Sequence, residues 1–184
     1  MQYDDEDTYE YKGLRISITQ DECADSPLDW DTDNSVFIVT SRNRYFEVIP
    51  KGYSVEAIAE HMETHKLYMG KFKVFPLYAY VHSGVALSLG RGYPFDCPWD
   101  SGQIGYVLVD RRKSVIPDAD EAAECEVKTW NQYLSGDVWQ VSVKDDAGNV
   151  LESVGGFYGH KYAKAEAESM ADACAESLAK DFSI

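Results

Sequence analysis

One segment of the chain, residues 97–103, combines with an upstream histidine to supply the side chains that nucleophilic catalysis uses. The thiol of Cys97, the imidazole of His82 and the carboxylate of Asp100 could serve as nucleophile, base and orienting group. A cysteine nucleophile also needs a lowered pKa and an accessible thiol, and residue order establishes neither. We therefore interpret the segment as a compact loop shaped by proline and glycine, and keep a cysteine-dependent enzyme as the alternative.

A second candidate is a cation site, because aspartates alternate at Asp29, Asp31 and Asp33 as they do at the start of an EF-hand loop. An EF-hand also requires Gly where Asn34 stands and Glu where Thr40 stands, so the match is incomplete. We favour a solvated acidic loop and keep a loose cation site as the alternative.

The histidines offer one further metal-type spacing, His61 and His65 at i and i+4 of a predicted helix. That spacing can hold a metal ion, but no neighbouring cysteine and no Glu-His motif supports it. The sequence contains no P-loop and no dinucleotide-binding glycine motif either. We predict no metal and no cofactor.

Rows of carboxylates are the more suggestive pattern. Glu168, Asp172 and Glu176 recur every four residues on the last predicted helix, about 6 Å apart along its axis. Like charges at this spacing destabilise a helix by about 0.2–0.5 kcal/mol per pair, so stability does not explain them. A second acidic patch surrounds the predicted helix start at residue 118. The residues predicted to contact a partner are Glu168, Asp172, Glu176, Asp118, Glu121 and Glu124, with Asp29, Asp31 and Asp33 in reserve.

Overall charge narrows the classes of partner. The 184 residues include 32 acids and 17 bases, a formal net charge of −15. Such a chain is repelled by DNA, RNA and anionic membranes, which are themselves polyanionic. It is attracted to Lys/Arg-lined surfaces, so a row of carboxylates could occupy the groove of a nucleic-acid-binding protein. Plain solubility is the competing explanation of the acidity.

The elements that must position these residues alternate between strands and helices. Period-two patterns predict strands at residues 14–18, 138–143 and 150–154, and apolar runs predict others at 36–39, 75–81, 85–89 and 104–109. Helices are predicted after Ser54, after Asp118 and from about residue 161 to 180. Strands in pairs with about three helices predict an α+β fold with a largely antiparallel sheet.

The ends and the cysteines indicate organisation and compartment. Residues 1–12 are acidic and predicted to form a mobile tail, followed by a single domain over residues 13–184. The four cysteines lie far apart, which suits free thiols in a reducing compartment. With neither a signal peptide nor a membrane span in the sequence, we expect a soluble protein of the cytosol.

Four ordered motifs carry a resemblance to a known group of proteins. They read PLYAYVHSG from residue 76, CPWDSGQIGYV from 97, WNQYLSGDVW from 130 and GFYG from 156. In these motifs the chain resembles a family of small phage and mobile-element proteins, mostly without assigned function. The resemblance implies a phage or prophage origin and establishes no catalytic residue.

A small acidic protein of phage type implies an anti-defence role. The leading hypothesis is an inhibitor of a CRISPR surveillance complex or a restriction-type nuclease, which mimics nucleic acid and binds a host protein with a Lys/Arg-rich groove. A cysteine-dependent enzyme that modifies a host factor is the second hypothesis. The third is a phage adaptor that binds proteins through Trp99, Trp139 and Phe157.

Overall fold

The computed structural model describes residues 7–30, 35–40, 54–63, 68–90 and 95–181. In chain order the elements are β1 (Asp7–Tyr11), β2 (Leu14–Gln20), β3 (Val36–Thr40), α1 (Val55–Glu63), β4 (Tyr68–Met69), β5 (Phe72–Val81), β6 (Val85–Leu89), β7 (Ser101–Asp110), α2 (Ala119–Ser135), β8 (Val138–Lys144), β9 (Val150–Tyr158) and α3 (His160–Asp181). They fall into two compact units, residues 1–25 with 136–184 and residues 26–135.

The first unit is a four-stranded antiparallel sheet with a helix on one face. Its strand order is β1-β2-β8-β9. Alternate residues of the central strands point toward α3, where small alanines allow the helix to approach closely. The buried core of this unit consists of Leu14, Ile16, Ile18, Val141, Val143, Ala163, Ala167 and Ala171.

The second unit places helices against both faces of its sheet. The strand order is β3-β7-β5-β4, and β6 pairs with β5, all antiparallel. Val107 and Val109 of β7 pack in a cluster with α2, whereas Tyr106 and Leu108 pack with Ile58 of α1. Because both faces of β7 are covered, its sequence is a continuous apolar run rather than an alternating one.

A close approach of two strands explains one glycine in this run. A Cβ atom at Gly105 would collide with the carbonyl oxygen of Val39 on β3. Any larger residue at this position would therefore push β3 away from β7, with which it pairs along its whole length.

The predicted α+β class and the antiparallel pairing are confirmed, but the strands form two sheets instead of one. The predicted mobile tail is wrong for residues 7–11, which form β1. In this strand, Tyr9 and Tyr11 pack against the α3 core. The Oδ2 atom of Asp7 lies 3.5 Å from the Nζ atom of Lys164 on α3. The predicted end of the last strand is also wrong, because β9 continues to Tyr158 across an irregular register in which Gly156 has a φ of +79°. Within the described residues, no helix has the length and apolar character needed to cross a bilayer.

Candidate functional site

The structure brings the three candidate catalytic residues together at one end of the second unit. His82 lies in the turn between β5 and β6, and a hydrogen bond of 2.7 Å from the Val81 N–H to the Asp100 carbonyl oxygen holds the other loop beside it. The Oδ2 atom of Asp100 is 3.5 Å from the His82 Nδ1 atom and 3.6 Å from the Cys97 Sγ atom. The carboxylate of Asp100 thus contacts both of the other side chains that the sequence offered for catalysis.

The arrangement does not match that of an activated thiol. Nucleophilic catalysis needs the imidazole to take the thiol proton, whereas here the carboxylate of Asp100 contacts both groups. The side chain of His82 is 67% exposed and the neighbouring Trp99 is 92% exposed, so water reaches the cluster.

The aspartate loop contributes no metal centre within the described part of the chain. Asp29 is exposed in a turn, where its N–H bonds to the carbonyl oxygen of Ser26 at 2.8 Å. Asp31 and Asp33 lie outside the described residues, as does His65. Among the described residues, no group of three or more His, Cys, Asp or Glu side chains could hold a metal ion.

The acidic row on α3 is present, but part of its charge is already paired. The Nζ atom of Lys12 lies 2.7 Å from the Oδ1 atom of Asp172. Glu168 lies near the phenol of Tyr9, whose pKa is raised by burial first and then by the negative charge of Glu168. Glu176 is exposed. The carboxylates of Glu168 and Glu176, about 12 Å apart along the helix axis, therefore have no ion-pair partner among the described residues.

The acidic residues near the start of α2 differ from one another in what their side chains contact. Asp118 caps the helix, since its Oδ1 atom accepts a 2.8 Å hydrogen bond from the N–H of Asp120. Asp120 itself forms an ion pair with Lys73 of β5. Glu121 and Glu124 are exposed, and neither has an ion-pair partner among the described residues. These two carboxylates, unlike Asp120, have no cation beside them in the described part of the chain.

Glu124 lines a groove between α2 and β6, which the sequence did not indicate. We refer to this cavity of about 530 Å³ as the α2–β6 groove; a smaller cavity of about 170 Å³ adjoins it, and Leu89 and Glu124 line both. The walls combine apolar and polar side chains. The residues that line the larger cavity are Val85, Ala86, Leu87, Ser88, Leu89, Glu124, Val127, Lys128, Asn131, Gln132 and Ser135.

Asn131 fixes the two walls of the groove to each other. Its Oδ1 atom accepts a 2.7 Å hydrogen bond from the Leu87 N–H, and its Nδ2 atom donates to the Leu87 carbonyl oxygen at 2.9 Å. The side-chain amide thus satisfies the edge of β6 as a neighbouring strand would. One pattern in the sequence could have indicated this wall of the groove: Glu124, Lys128 and Asn131 recur at helical intervals beside the buried stripe of α2.

The three aromatic residues proposed for an adaptor face differ in their exposure to solvent. Trp99 is exposed in the second unit. Trp139 instead packs within the first unit, 4.7 Å from the His160 ring between centroids, and its Nε1 atom donates to Asp137 at 2.7 Å. Phe157 is the cross-strand partner of Trp139. Trp139 and Phe157 are partly buried and pack against the α3 core, and the adaptor face stays a prediction.

Comparisons with protein-family models, with curated proteins and with solved structures find no match to this chain. The resemblance to small phage proteins therefore stays a prediction.

Proposed function

We propose that this protein is a non-catalytic inhibitor that binds the basic, nucleic-acid-binding surface of a host defence protein in the cytosol. A CRISPR surveillance complex or a restriction-type nuclease is the class of target. The proposal rests on one observation above the others. Glu124 lines the α2–β6 groove and has no ion-pair partner among the described residues, and the equally exposed Glu121 lies one helical turn before it on α2, so shape and charge coincide there.

The physical argument combines steering with short-range contact. A net charge of −15 raises the encounter rate with a positively charged surface and repels nucleic acid itself. The groove then offers apolar walls for the stem of a lysine or arginine side chain, while Glu124 lies at the point where both cavities meet. The carboxylates of the half-buried Glu168 and the exposed Glu176 on α3 add to the steering field.

A phage-plating assay tests the function directly. Cells that carry an active CRISPR or restriction system would express this chain and be challenged with a phage that the system blocks. Wild-type protein should raise plaque formation at least tenfold, and so should Cys97→Ala, because no thiol chemistry is involved. Loss of protection in Cys97→Ala would contradict a non-catalytic inhibitor and favour the enzyme alternative.

Charge reversal locates the surface. We expect Glu121→Lys/Glu124→Lys to lose the protection, because a Lys/Arg-lined partner then meets positive charge. Glu168→Lys/Glu176→Lys changes the net charge by the same amount and serves as the matched control, which should retain most of it. Equal loss in both variants would show that net charge alone acts and would remove the α2–β6 groove from the mechanism.

A further inference from the structure

The face of the first unit's sheet that points away from α3 is rich in hydroxyl groups. Thr8, Ser17, Ser142 and Ser153 are successive cross-strand partners on β1, β2, β8 and β9. The Ser142 and Ser153 Oγ atoms are 3.0 Å apart, and the Thr8 Oγ1 atom lies 3.5 Å from the Ser17 Oγ atom. A row of hydroxyl groups thus crosses all four strands, and we call it the hydroxyl row.

Two basic side chains lie directly beside this row. Arg15 and Lys144 are cross-strand partners, and each is two residues from a serine of the hydroxyl row on its own strand. Residues two apart on a strand share a face, so Arg15, Ser17, Ser142 and Lys144 form a quartet on this face. Cross-strand partners lie about 5 Å apart between Cβ atoms, and neighbours along a strand about 7 Å apart.

The charges of the quartet are unusual for this chain. Like charges placed directly opposite each other on a sheet are destabilising. The first unit contains 17 acids and 6 bases, a formal charge of −11, yet neither Arg15 nor Lys144 forms an ion pair within the described residues. Glu10 is the cross-strand partner of Arg15 on β1, but it too forms no ion pair there. Two cations therefore remain side by side, next to the half-buried Ser142 and the buried Ser17.

We propose that this quartet binds a phosphoryl group, either as free phosphate or on a phosphorylated ligand. The guanidinium of Arg15 and the ammonium group of Lys144 supply charge-assisted hydrogen bonds to phosphate oxygens, and the half-buried Ser142 hydroxyl supplies a neutral one. A bound dianion removes the repulsion between Arg15 and Lys144. The site is independent of the α2–β6 groove, which lies in the other unit, so the two proposals can fail separately.

Titration followed by NMR tests the site. Sodium phosphate is added to the ¹⁵N-labelled chain at constant pH and ionic strength, with sodium chloride as the reference titration. Amide signals of residues 15–17 and 142–144 should shift and saturate with phosphate but not with chloride. Shifts that grow linearly without saturation, or that match those in chloride, would overturn the proposal.

Single substitutions test which side chains contact the phosphoryl group. Arg15→Gln and Lys144→Gln should each weaken phosphate binding at least fivefold, whereas Lys161→Gln on α3 should leave it unchanged. Glu10→Gln should strengthen it, since a competing carboxylate is removed. A phosphoserine tripeptide that binds more tightly than inorganic phosphate would identify a phosphorylated chain as the source of the group. Unchanged affinity in both Arg15→Gln and Lys144→Gln would overturn the assignment.

Thermal unfolding gives a second readout of the same contacts. A ligand that binds only the folded state raises the melting temperature. Phosphate should raise it in wild-type protein and in Lys161→Gln but not in Arg15→Gln. An equal rise in all three would indicate a general salt effect and contradict the site.

Discussion

The Nζ atom of Lys12, in the tight turn between β1 and β2, lies 2.7 Å from the Oδ1 atom of Asp172 on α3. Lys12 has a φ of +51° and the following Gly13 a φ of +77°, the conformation of a type I′ turn. The turn thus directs the lysine toward the middle carboxylate of the α3 acidic row. The hydrogen bond to Asp172 raises the pKa of Lys12.

Removal of this cation should destabilise the first unit in a salt-dependent way. Lys12→Asn keeps a residue suited to the left-handed region but leaves Asp172 flanked by Glu168 and Glu176. We expect a lower melting temperature at low salt and almost no difference at high salt, because screening weakens exposed charge interactions. Asp172→Asn should abolish the effect of Lys12→Asn, and an additive double variant would contradict the pairing.

The same ion pair gives a prediction at high pH. A lysine whose folded-state pKa is raised contributes stability that is fully present below its unfolded pKa, about 10.4. That contribution is lost as the pH rises through the folded-state value. The melting temperatures of wild-type protein and Lys12→Asn should therefore converge as the pH rises beyond about 10.4 and through the folded-state value.

Local signals in the sequence were sufficient to locate the helices. Ser54 is the predicted cap of α1, and its Oγ atom accepts a 3.1 Å hydrogen bond from the Ala57 N–H. The third helix, with predicted bounds of about residues 161 and 180, extends from His160 to Asp181. Caps and apolar stripes arise from neighbours within one or two turns, so a single sequence contains them.

Strand partners and the candidate sites depend on contacts that the sequence does not contain. β2 pairs with β8, more than 100 residues away, and period-two alternation is the same whichever strand is the partner. The two-sheet arrangement was missed for that reason. Neutralisation of Asp172 by Lys12 and the clamp of Asn131 on Leu87 were missed likewise, because each joins residues brought together only by the fold.

A buried carboxylate at the end of β7 predicts acid sensitivity of the second unit. Asp110 is 1% exposed, and its Oδ2 atom lies 2.9 Å from the Lys71 Nζ atom. Burial by itself would raise the pKa of Asp110, but the hydrogen bonds from Lys71 and from the Arg112 N–H outweigh it, so the pKa is lowered. A lowered pKa contributes stability above the unfolded value of about 3.9, which is lost as the pH falls through the folded value.

Asp110→Asn should remove that contribution. We expect a loss of about 2 kcal/mol in the free energy of unfolding at pH 7, the size of a hydrogen bond to a charged group. The difference from wild-type protein should shrink below about pH 4. Urea denaturation across this pH range measures it, with the exposed Asp146→Asn as a control that changes stability by less than about 0.5 kcal/mol. A difference that stays constant from pH 7 to pH 2 would exclude the ionised pair as its cause.

Truncation of Asn131 should open the edge of β6. Asn131→Ala removes the partner of the Leu87 N–H and carbonyl groups, at an expected cost of about 1–3 kcal/mol. An edge strand with unpaired backbone groups can pair with another chain, so concentration-dependent association should follow in size-exclusion chromatography. Lys128→Ala, one turn earlier on α2, should change neither property. A monomeric Asn131→Ala variant of unchanged stability would contradict the clamp.

The pKa of Glu126 on α2 is shifted in the opposite direction from that of Asp110, so we expect the opposite dependence of stability on pH. Burial raises the pKa of Glu126, and a 3.0 Å hydrogen bond from the Trp130 Nε1 atom opposes the shift only in part. The folded state therefore holds its proton to higher pH than the unfolded chain, so stability falls as the pH rises above the unfolded pKa of about 4.3. Glu126→Gln keeps an acceptor for Trp130 without the charge. It should melt at a higher temperature than wild-type protein at pH 7 and at the same temperature below about pH 4.

The exposed Glu124→Gln should show no such pH-dependent gain in melting temperature. A Glu126→Gln variant that is less stable than wild-type protein at pH 7 would mean that the charged form of Glu126 is the favoured one.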